Sequence, residues 1–446
     1  MRRFVKTEDA MTGGVNLILS VAMAVLVIAI PTGCDSAAST DPVDVDSDTD
    51  SDSDADSDTD ADTDTDADTD SDTDADTDSG PGSDTDSQID TDGDTDGRFH
   101  VVGTKIIAPS GEEFVPVGAN ACGWNYPNFG CPGTLNPDGS AHAFEDDLDS
   151  FVNLWKFNTA RLNVWTKEFW WEGVQHSWLE WPRDEADMLA ALDRIVNAYS
   201  ALGVVLIIEN HDYTCSYPNT EISRLKDFWR LIADRYRDNT YVWLNLWNEV
   251  GWEDGAVPVA WRDQQQEVIQ VIRDEVGAQN IIVIDGSKCG QEAASWNDNP
   301  IWAIASGILT YGDDLKLFNS TSYSDILFSV HMYDQWALDF AFENKFRDYV
   351  ARVHTAGHAL MIGEVGSTAP DRFTGVTELA VEVGLRELGL GVLFWHWWPG
   401  DGFALVEGPG WNGTAVNSTT NPTNLTSYQG QFFWRATHEY GFGLHP

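Results

Sequence analysis

Residues 242–252 read VWLNLWNEVGW, an apolar, β-branched and aromatic run that ends in an amide and a carboxylate, Asn248 and Glu249. Such a run predicts a buried strand. An unpaired carboxylate in a buried setting costs free energy, so Glu249 must meet partners or solvent where the strand ends. The stretch therefore predicts a strand of a sheet covered on both faces, with polar chemistry at its carboxyl end.

Seven further runs of this kind recur along the chain, with helical segments between most of them. The eight runs are FVPVGAN (114–120), TARLNV (159–164), VVLIIEN (204–210), VWLNLWNE (242–249), IIVIDG (281–286), ILFSVHMY (326–333), ALMIGEVG (359–366) and GVLFWHWW (391–398). Helical periodicity marks 221–238 and 260–277, and Pro109-Ser110-Gly111 predicts a hairpin before the first run. Eight β/α units in about 350 residues predict an α/β fold, a (β/α)8 TIM barrel.

A doubly wound open sheet is the alternative fold. Many sheets of that kind bind a dinucleotide through a G-x-G-x-x-G loop after the first strand. Here that position reads VGANACGW (117–124), which lacks the spacing. A dinucleotide site is therefore not supported.

Acidic residues are unevenly distributed. The formal charge is −48, and residues 35–96 contain 26 Asp but no Lys, Arg or Glu. Because residues 34–97 offer nothing from which to build a core, we predict an Asp-rich, extended and disordered linker. Residues 92–97 match the first half of an EF-hand calcium loop, but position 103, which should be the closing Glu, is Gly; a solvated spacer is the better interpretation. The remaining charge of about −22 disfavours nucleic acid as a partner and favours a neutral substrate.

The first 33 residues have the features of an export signal. MRRFVK is basic, and the apolar run at 15–30 is too short to span a bilayer comfortably. Thr32-Gly33-Cys34 resembles a bacterial lipoprotein cleavage site, which would make Cys34 the acylated first residue of the mature chain. Pro31 stands where such sites usually carry Leu, so cleavage without lipid stays open. We expect an exported cell-surface or periplasmic lipoprotein, or a secreted protein, with membrane contact only through a lipid anchor.

Four other cysteines are present, an even number in an oxidising compartment. Three pairings are possible, and we expect disulfides Cys122–Cys131 and Cys215–Cys289. Four buried free thiols are the alternative. No CxxC or Cys/His spacing occurs in the sequence, so no metal site is predicted.

Side chains suited to chemistry stand at the ends of six predicted strands. They are Arg161, His211, Asn248, Glu249, His331, Tyr333, Glu364 and Trp395. Each alone has an ordinary interpretation, since a strand-end His is more often a structural residue and a lone Glu is often a solvated loop residue. In a (β/α)8 barrel, however, the carboxyl ends of the strands form one rim. Two carboxylates, two imidazoles, a guanidinium and a phenol on one rim indicate an active site.

Two carboxyl groups at one site suit the cleavage of a glycosidic bond. One must be protonated to assist the leaving oxygen, and the other must be ionised to attack the anomeric carbon, so the environment must separate their pKa values. We expect Arg161 and Tyr333 to hold Glu364 ionised and a more apolar setting to keep Glu249 protonated. Asn248 is expected to bind the sugar 2-hydroxyl, while the two histidines orient the sugar and the carboxylates.

This ordered set of eight resembles glycoside hydrolase family 5, the cellulase and β-mannanase family within the clan of retaining (β/α)8 glycosidases, over roughly residues 100–446. The resemblance implies that Glu249 is the acid/base and Glu364 the nucleophile. The supporting and substrate-binding residues it implies are Arg161, His211, Asn248, His331, Tyr333 and Trp395. We expect a monomer that uses no cofactor and whose partner is a polysaccharide.

Three stretches are similar to the bacterial β-mannanase branch of this family: 283–296, 328–333 and 359–366. Val250 follows the Asn-Glu pair where many family cellulases have Pro. Twenty tryptophans are many for this length, and aromatic faces stack on pyranose rings. We expect those near Glu249, on the loop at 165–182 and after the last strand to form an open cleft, with about half of all the indoles packing the barrel or anchoring loops instead.

The sequence therefore predicts a secreted, retaining endo-β-1,4-glycanase that acts on β-mannan. Residues 1–33 are the signal peptide, 34–97 the linker and 98–446 the catalytic domain. The alternatives are a cellulase on the same site, an exo-acting β-glycosidase or transglycosylase, a non-catalytic carbohydrate-binding lipoprotein, and an adhesion lipoprotein in which the tether matters most. The presence of both Glu249 and Glu364 argues against the non-catalytic classes.

Overall fold

Eight parallel strands close into a barrel at the centre of the fold. The computed structural model describes residues 97–121, 148–164, 166, 169–171, 174–176, 185–251, 255–292, 305–336, 342–366, 375–397 and 428–444, all within one unit, Asp86–Pro446. The strands in these ranges are β1 (His100–Val102), β2 (Lys105–Ile107), β3 (Val117–Ala121), β4 (Thr159–Val164), β5 (Phe169–Trp171), β6 (Val174–His176), β7 (Val205–Asn210), β8 (Val242–Asn245), β9 (Ile282–Asp285), β10 (Leu317–Phe318), β11 (Thr321–Ser322), β12 (Ile326–Met332), β13 (Leu360–Val365) and β14 (Gly391–Phe394).

The barrel order is β3-β4-β7-β8-β9-β12-β13-β14, with β14 pairing back onto β3. Every one of these pairings is parallel. Each of the eight predicted runs overlaps one barrel strand, so the predicted TIM barrel is confirmed. The strands are almost wholly buried, because the barrel interior covers one face and the surrounding helices cover the other.

Helices follow most of the barrel strands. The α-helices are α1 (Glu185–Ala201), α2 (Ile222–Tyr236), α3 (Val259–Gln270), α4 (Gly307–Lys316), α5 (Phe342–Thr355) and α6 (Tyr428–His438). Ser150–Leu154, Val271–Glu275 and Leu379–Glu387 are π-helical, and Asn219–Glu221 and Asp334–Trp336 are 3₁₀ turns. The helical stretch predicted at 221–238 is α2, whose buried residues recur at helical spacing from Leu225 through Trp229 to Tyr236. The stretch predicted at 260–277 is α3 with its π-helical continuation.

A hairpin covers the amino-terminal end of the barrel. β1 and β2 pair around a turn at Gly103, and a second turn at residues 109–111, where the hairpin was predicted, is closed by the Ala108 N–H donating to the Glu112 carbonyl at 2.8 Å. Phe99 packs edge-on against Phe114 and Trp243. These rings join a cluster of inward-facing apolar residues from the barrel strands. The barrel interior is therefore apolar at this end, which leaves polar side chains for the other.

No helix within the described ranges is both long enough and apolar enough to cross a bilayer.

Candidate active site

The structure brings the eight predicted site residues together at the carboxyl end of the barrel. Arg161, His331 and Glu364 lie within β4, β12 and β13, while His211, Asn248, Glu249, Tyr333 and Trp395 follow the ends of β7, β8, β12 and β14. The strand register contributes directly, because His331 lies opposite Glu364 after a bulge at Val330/His331. Bulges of this kind redirect side chains and are common beside active sites.

Arg161 is the buried centre of the hydrogen-bond network. Its side chain is 1% exposed, and its guanidinium donates to Glu364 at 2.7 Å and to Asn248 at 2.8 Å. Its remaining acceptors are Asn120, Asn245 and Asp285. A guanidinium offers five donors in a fixed plane, so one side chain links β4 to four other strands of the barrel and to the segment after β8.

Glu364 is surrounded by donors. Arg161 Nη1 contacts Oε1 at 2.7 Å, and the Tyr333 hydroxyl donates to Oε2 at 2.6 Å. His331 Nδ1 lies 3.4 Å from the same Oε2. These contacts stabilise the negative charge of the carboxylate and fix its orientation, as an attacking nucleophile requires.

Glu249 stands in a different environment. Its side chain is 13% exposed, and one oxygen lies 3.1 Å from His331 Nδ1. Burial raises the pKa of this carboxyl group, and the charge of Glu364 adds to the rise, whereas the hydrogen bond and charge of His331 oppose it. The net shift is upward, which suits a group that must carry a proton for general acid catalysis.

His331 lies among three carboxyl groups. Besides Glu249 and Glu364, its Nε2 lies 3.3 Å from Asp285 Oδ2. Burial alone would lower the pKa of His331, but the charges of Glu364 and Asp285 outweigh it and raise the pKa to about 10. For Asp285, burial would raise the pKa, yet His331 and Arg161 hold it well below its usual range. His331 is therefore an imidazolium at neutral pH and Asp285 an anion.

A second group of contacts forms the side of the site nearest β7. His211 Nδ1 lies 2.7 Å from the buried Glu209, and its ring stacks on Trp395 with centroids 5.9 Å apart. Burial would lower the pKa of His211, but Glu209 outweighs it and raises that pKa. Asn248, whose oxygen accepts from Arg161, donates to Thr214 at 3.1 Å. The amide is thus held in one orientation, as binding of a specific hydroxyl requires.

Four buried polar residues that support this network were not among the predicted site residues: Asn120, Glu209, Asn245 and Asp285. Each interrupts an apolar strand run near its carboxyl end. In a parallel sheet covered on both faces, an isolated amide or carboxylate at an inward-facing position needs partners. That rule was sufficient to add them to the predicted set.

The prediction that β8 runs to Glu249 was wrong by four residues. The strand ends at Asn245, although the Leu246 and Asn248 N–H groups still donate to the neighbouring strands β9 and β7. Glu249 then takes a left-handed backbone conformation with φ +49°, and its N–H donates to Asp285 at 3.1 Å. A propensity pattern does not reveal such a conformation.

The expected cleft tryptophans are partly core residues. Trp243 and Trp247 are fully buried, and Trp397 packs edge-on against Phe151 and Trp155. For these three indoles the cleft prediction was wrong, because they face the interior of the barrel or the layer between strands and helices. Trp155 and Trp229, which lie outside the expected cleft segments, are buried as well.

Of the predicted disulfides, the structure contains Cys215–Cys289. The remaining sequence predictions fall outside the described residues or on side chains that are not described. They concern Cys34, Cys122–Cys131, the linker at 34–97, and the tryptophans at positions 165, 170, 171, 178, 181, 252, 398 and 411.

Two groups in the described part of the chain hold side chains close enough to share a metal ion: Glu249, His331 and Glu364, and Cys215, Glu249 and Cys289. In the second group the two sulfurs are joined to each other. In the first, a protonated His331 has no lone pair for a metal. The group of Glu249, His331 and Glu364 therefore fits proton transfer better than ion binding.

The sequence is similar to those of a known enzyme family and of several characterised proteins. A family model described as "Cellulase (glycosyl hydrolase family 5)" matches residues 124–401. A mannan endo-1,4-beta-mannosidase of Salipaludibacillus agaradhaerens is 28% identical over 221 residues, which is 49% of this chain and 63% of that protein. An endoglucanase of Paenibacillus polymyxa is 23% identical over 249 residues, or 51% of this chain and 59% of that protein. The chain thus spans less than two thirds of the length of these relatives.

Solved structures show the same fold. A β-mannanase from Streptomyces thermolilacinus, solved with mannohexaose, superposes with a TM-score of 0.54 at 20% identity and covers 77% of this chain and 98% of that one. At 20% identity this similarity shows a shared fold, the (β/α)8 barrel.

Proposed function

We propose, since the chain belongs to glycosyl hydrolase family 5, that it is a retaining endo-β-1,4-glycanase that hydrolyses β-mannan. The observation that carries the reaction type is the spacing of the two carboxyl groups. One oxygen of Glu249 and one of Glu364 lie within 4.8 Å of each other. Inverting glycosidases hold their carboxyl groups roughly 6.5–9.5 Å apart to admit a water, whereas retaining enzymes hold them about 5 Å apart.

The proposed reaction is a double displacement. The Glu364 carboxylate attacks the anomeric carbon while Glu249 gives its proton to the leaving oxygen, which breaks the glycosidic bond and forms a glycosyl ester on Glu364. Glu249, now ionised, removes a proton from a water molecule that attacks the same carbon and releases Glu364. Asn248, held by Arg161 and Thr214, donates or accepts at the 2-hydroxyl as positive charge develops on the ring.

Mannan is favoured as the substrate by the mannanase relatives and by the mannanase-like stretches at 283–296 and 359–366. Cellulose is the second candidate, because one relative is an endoglucanase. The choice between endo and exo action depends on the segments at 165–182 and 398–427, which lie beside the carboxyl end of the chain's second and eighth barrel runs in sequence.

The test is a parallel assay of the purified protein on β-mannan, galactomannan, carboxymethyl-cellulose and xylan, with Glu364→Gln as the blank. We expect mannan to be cut into mixed oligosaccharides and the variant to be inactive. Cleavage of cellulose alone would mean that the substrate is cellulose rather than mannan, with the same double displacement. Release of only single sugars or dimers from chain ends would replace endo action with exo action, and silence on all four from folded protein would contradict the proposal.

We further propose that the chain is exported and anchored by a lipid on Cys34. The basic start, the short apolar run and Thr32-Gly33-Cys34 support this. Mass spectrometry of the mature amino terminus tests it: a diacylglyceryl group on Cys34 is expected, and an unmodified terminus would favour cleavage without lipid.

A further inference from the structure

The segment that carries Glu249 lies between two loops that a disulfide joins. Cys215 follows β7 and Cys289 follows β9, and their sulfurs are bonded across 74 residues of sequence. The Cys215 N–H donates to the Glu249 carbonyl at 2.8 Å, and the Cys289 N–H donates to the Gly251 carbonyl at 2.7 Å. Gly251 N–H in turn donates to the Ser216 carbonyl at 3.2 Å. Each half-cystine therefore holds one end of the segment from Glu249 to Gly251 through a backbone hydrogen bond.

This clamp coincides with unfavourable backbone conformations. Glu249, Cys215 and Cys289 have φ values of +49°, +54° and +54°. For residues other than glycine this region is unfavourable and persists only where the surroundings enforce it. A covalent link between the two flanking loops supplies such enforcement for all three residues at once.

The disulfide also touches the carboxyl group. Cys215 Sγ lies 3.5 Å from Glu249 Oε2, while the other oxygen faces His331. A disulfide sulfur carries no proton, so it shields Oε2 from water without donating a hydrogen bond that would stabilise the carboxylate. A thiol at the same place would donate weakly and favour the ionised form.

The loop that contains Cys289 also contacts His331. His331 N–H donates to the Gly290 carbonyl at 2.7 Å. Gly290 has φ +71°, and a Cβ there would lie 2.7 Å from the His331 ring. The loops that the disulfide joins are thus hydrogen-bonded to the backbone of both Glu249 and His331.

We propose that the Cys215–Cys289 disulfide is a positioning element for the acid/base step, which holds Glu249 in its proton-donating orientation and excludes water from Oε2. The inference rests on the proposed function. An added dithiol can remove this link by reduction. The S–S bond breaks, each sulfur gains one electron and one proton, and the dithiol becomes a cyclic disulfide. Reduction frees both loops and replaces the apolar contact with a thiol donor.

The expected consequence concerns the proton on Glu249. Loss of the disulfide admits water, which weakens the burial that raises the pKa of this group. Because Glu249 must be protonated to assist the leaving oxygen, the alkaline limb of kcat/KM should move to lower pH. The titratable and charged groups that act on Glu249 are His211, Asp285, His331, Tyr333 and Glu364. None of these groups is replaced when the Cys215–Cys289 disulfide is removed.

The experiment compares the full chain with the Cys215→Ala/Cys289→Ala variant on two aryl β-mannobiosides. One has a 2,4-dinitrophenyl leaving group, which departs without protonation, and the other a 4-methylphenyl group, which needs it. Since kcat/KM reports the first chemical step, we expect a loss of about 10-fold or more on the methylphenyl substrate, within the range of general acid catalysis. The dinitrophenyl substrate should be nearly unaffected. Cys122→Ala/Cys131→Ala is the matched control and should show no such discrimination.

An equal loss on both substrates would mean that the disulfide only stabilises the fold, and unchanged values on both would mean that it does not act on Glu249; either result overturns the inference. If the double variant does not fold, the same two rates measured on dithiol-reduced wild-type protein below its unfolding temperature decide the question. Absence of hydrolysis by the oxidised wild type on both mannobiosides and on all four polysaccharides would instead remove the proposed function and, with it, this inference.

Discussion

At the scale of single residues, Arg161 shows what the sequence reveals and what it hides. A lone cation inside the apolar run TARLNV indicates a buried partner, and the order of polar strand ends indicates which carboxylates lie near it. The sequence does not show that this side chain also bonds Asn120, Asn245 and Asp285. Those contacts depend on the stagger of neighbouring strands, which is a property of the closed barrel.

Replacing Arg161 with Lys should therefore strongly lower both the stability and the activity of the protein, although the positive charge is kept. A lysine cannot serve five acceptors in a plane, so buried carboxyl groups lose their partner, which costs about 3 kcal/mol or more of unfolding free energy. Urea unfolding measures this, and kcat should fall with it. Arg347→Lys, in an exposed pair with Glu387, is the control and should cost under about 1 kcal/mol. Equal effects in the two variants would contradict the central role of Arg161.

Replacing His331 with Gln should shift the pH dependence in a definite direction. The hydrogen bond and positive charge of His331 lower the pKa of Glu249, so their removal should raise it. Because the protonated form of Glu249 is the active one in the first step, the alkaline limb of kcat/KM should move to higher pH while the maximum rate falls. A pH profile on a soluble mannan measures both. A limb that moves to lower pH would show that His331 does not act on Glu249 in this way.

At the scale of elements, the eight barrel strands could be predicted because burial on both faces leaves an unmistakable apolar run. Their ends could not. The bulge at Val330/His331 and the left-handed turn at Glu249 arise because side chains must converge on one point from strands of different stagger. Such adjustments depend on tertiary contacts rather than on local preference.

The hairpin β1–β2 and the residues beside it close the end of the barrel opposite the site. Phe99 is 4% exposed and packs on Trp243, so Phe99→Ala should lower the free energy of unfolding by about 3 kcal/mol. Because this end is remote from Glu249 and Glu364, kcat/KM at a temperature well below unfolding should not change. Val102→Ala, at an exposed position of the same hairpin, is the control. A large loss of kcat/KM in Phe99→Ala would show coupling between the two ends.

The loop after β9 contains a buried carboxyl group that makes stability depend on pH. Glu292 is fully buried, and burial raises its pKa to about 7. The proton is therefore held more tightly in the folded state. The stabilisation is complete below the pKa of an exposed Glu and is lost as pH rises to about 7, by about 3 kcal/mol in all.

Glu292→Gln should remove this dependence. The difference in unfolding free energy between mildly acidic and mildly alkaline pH should shrink relative to wild type, as urea unfolding at both values would show. Glu267→Gln, at an exposed position of α3, should leave the difference as it is. An unchanged difference in the Glu292 variant would mean that this group is ionised throughout.

At the scale of the whole molecule, charge and fold are separable. About half of the net charge lies at 35–96, before the family match begins at residue 124. We predict that deleting 35–96 leaves the unfolding temperature and kcat/KM on soluble mannan unchanged, because the barrel holds every residue assigned to the site. Calorimetry and steady-state rates on the two forms measure this. A lower unfolding temperature would assign the acidic segment a place in the folded structure.

The central claim is that Glu364 is the nucleophile of a retaining glycosidase, and covalent trapping tests it most directly. Protein incubated with 2-deoxy-2-fluoro-β-mannobiosyl fluoride and digested should yield one modified peptide, heavier by the fluorinated disaccharide and carrying the label on Glu364. A label on Glu249, Glu209 or any other residue would contradict the assignment. Turnover of mannan by a protein that is never labelled and that releases the inverted anomer would contradict the double displacement itself.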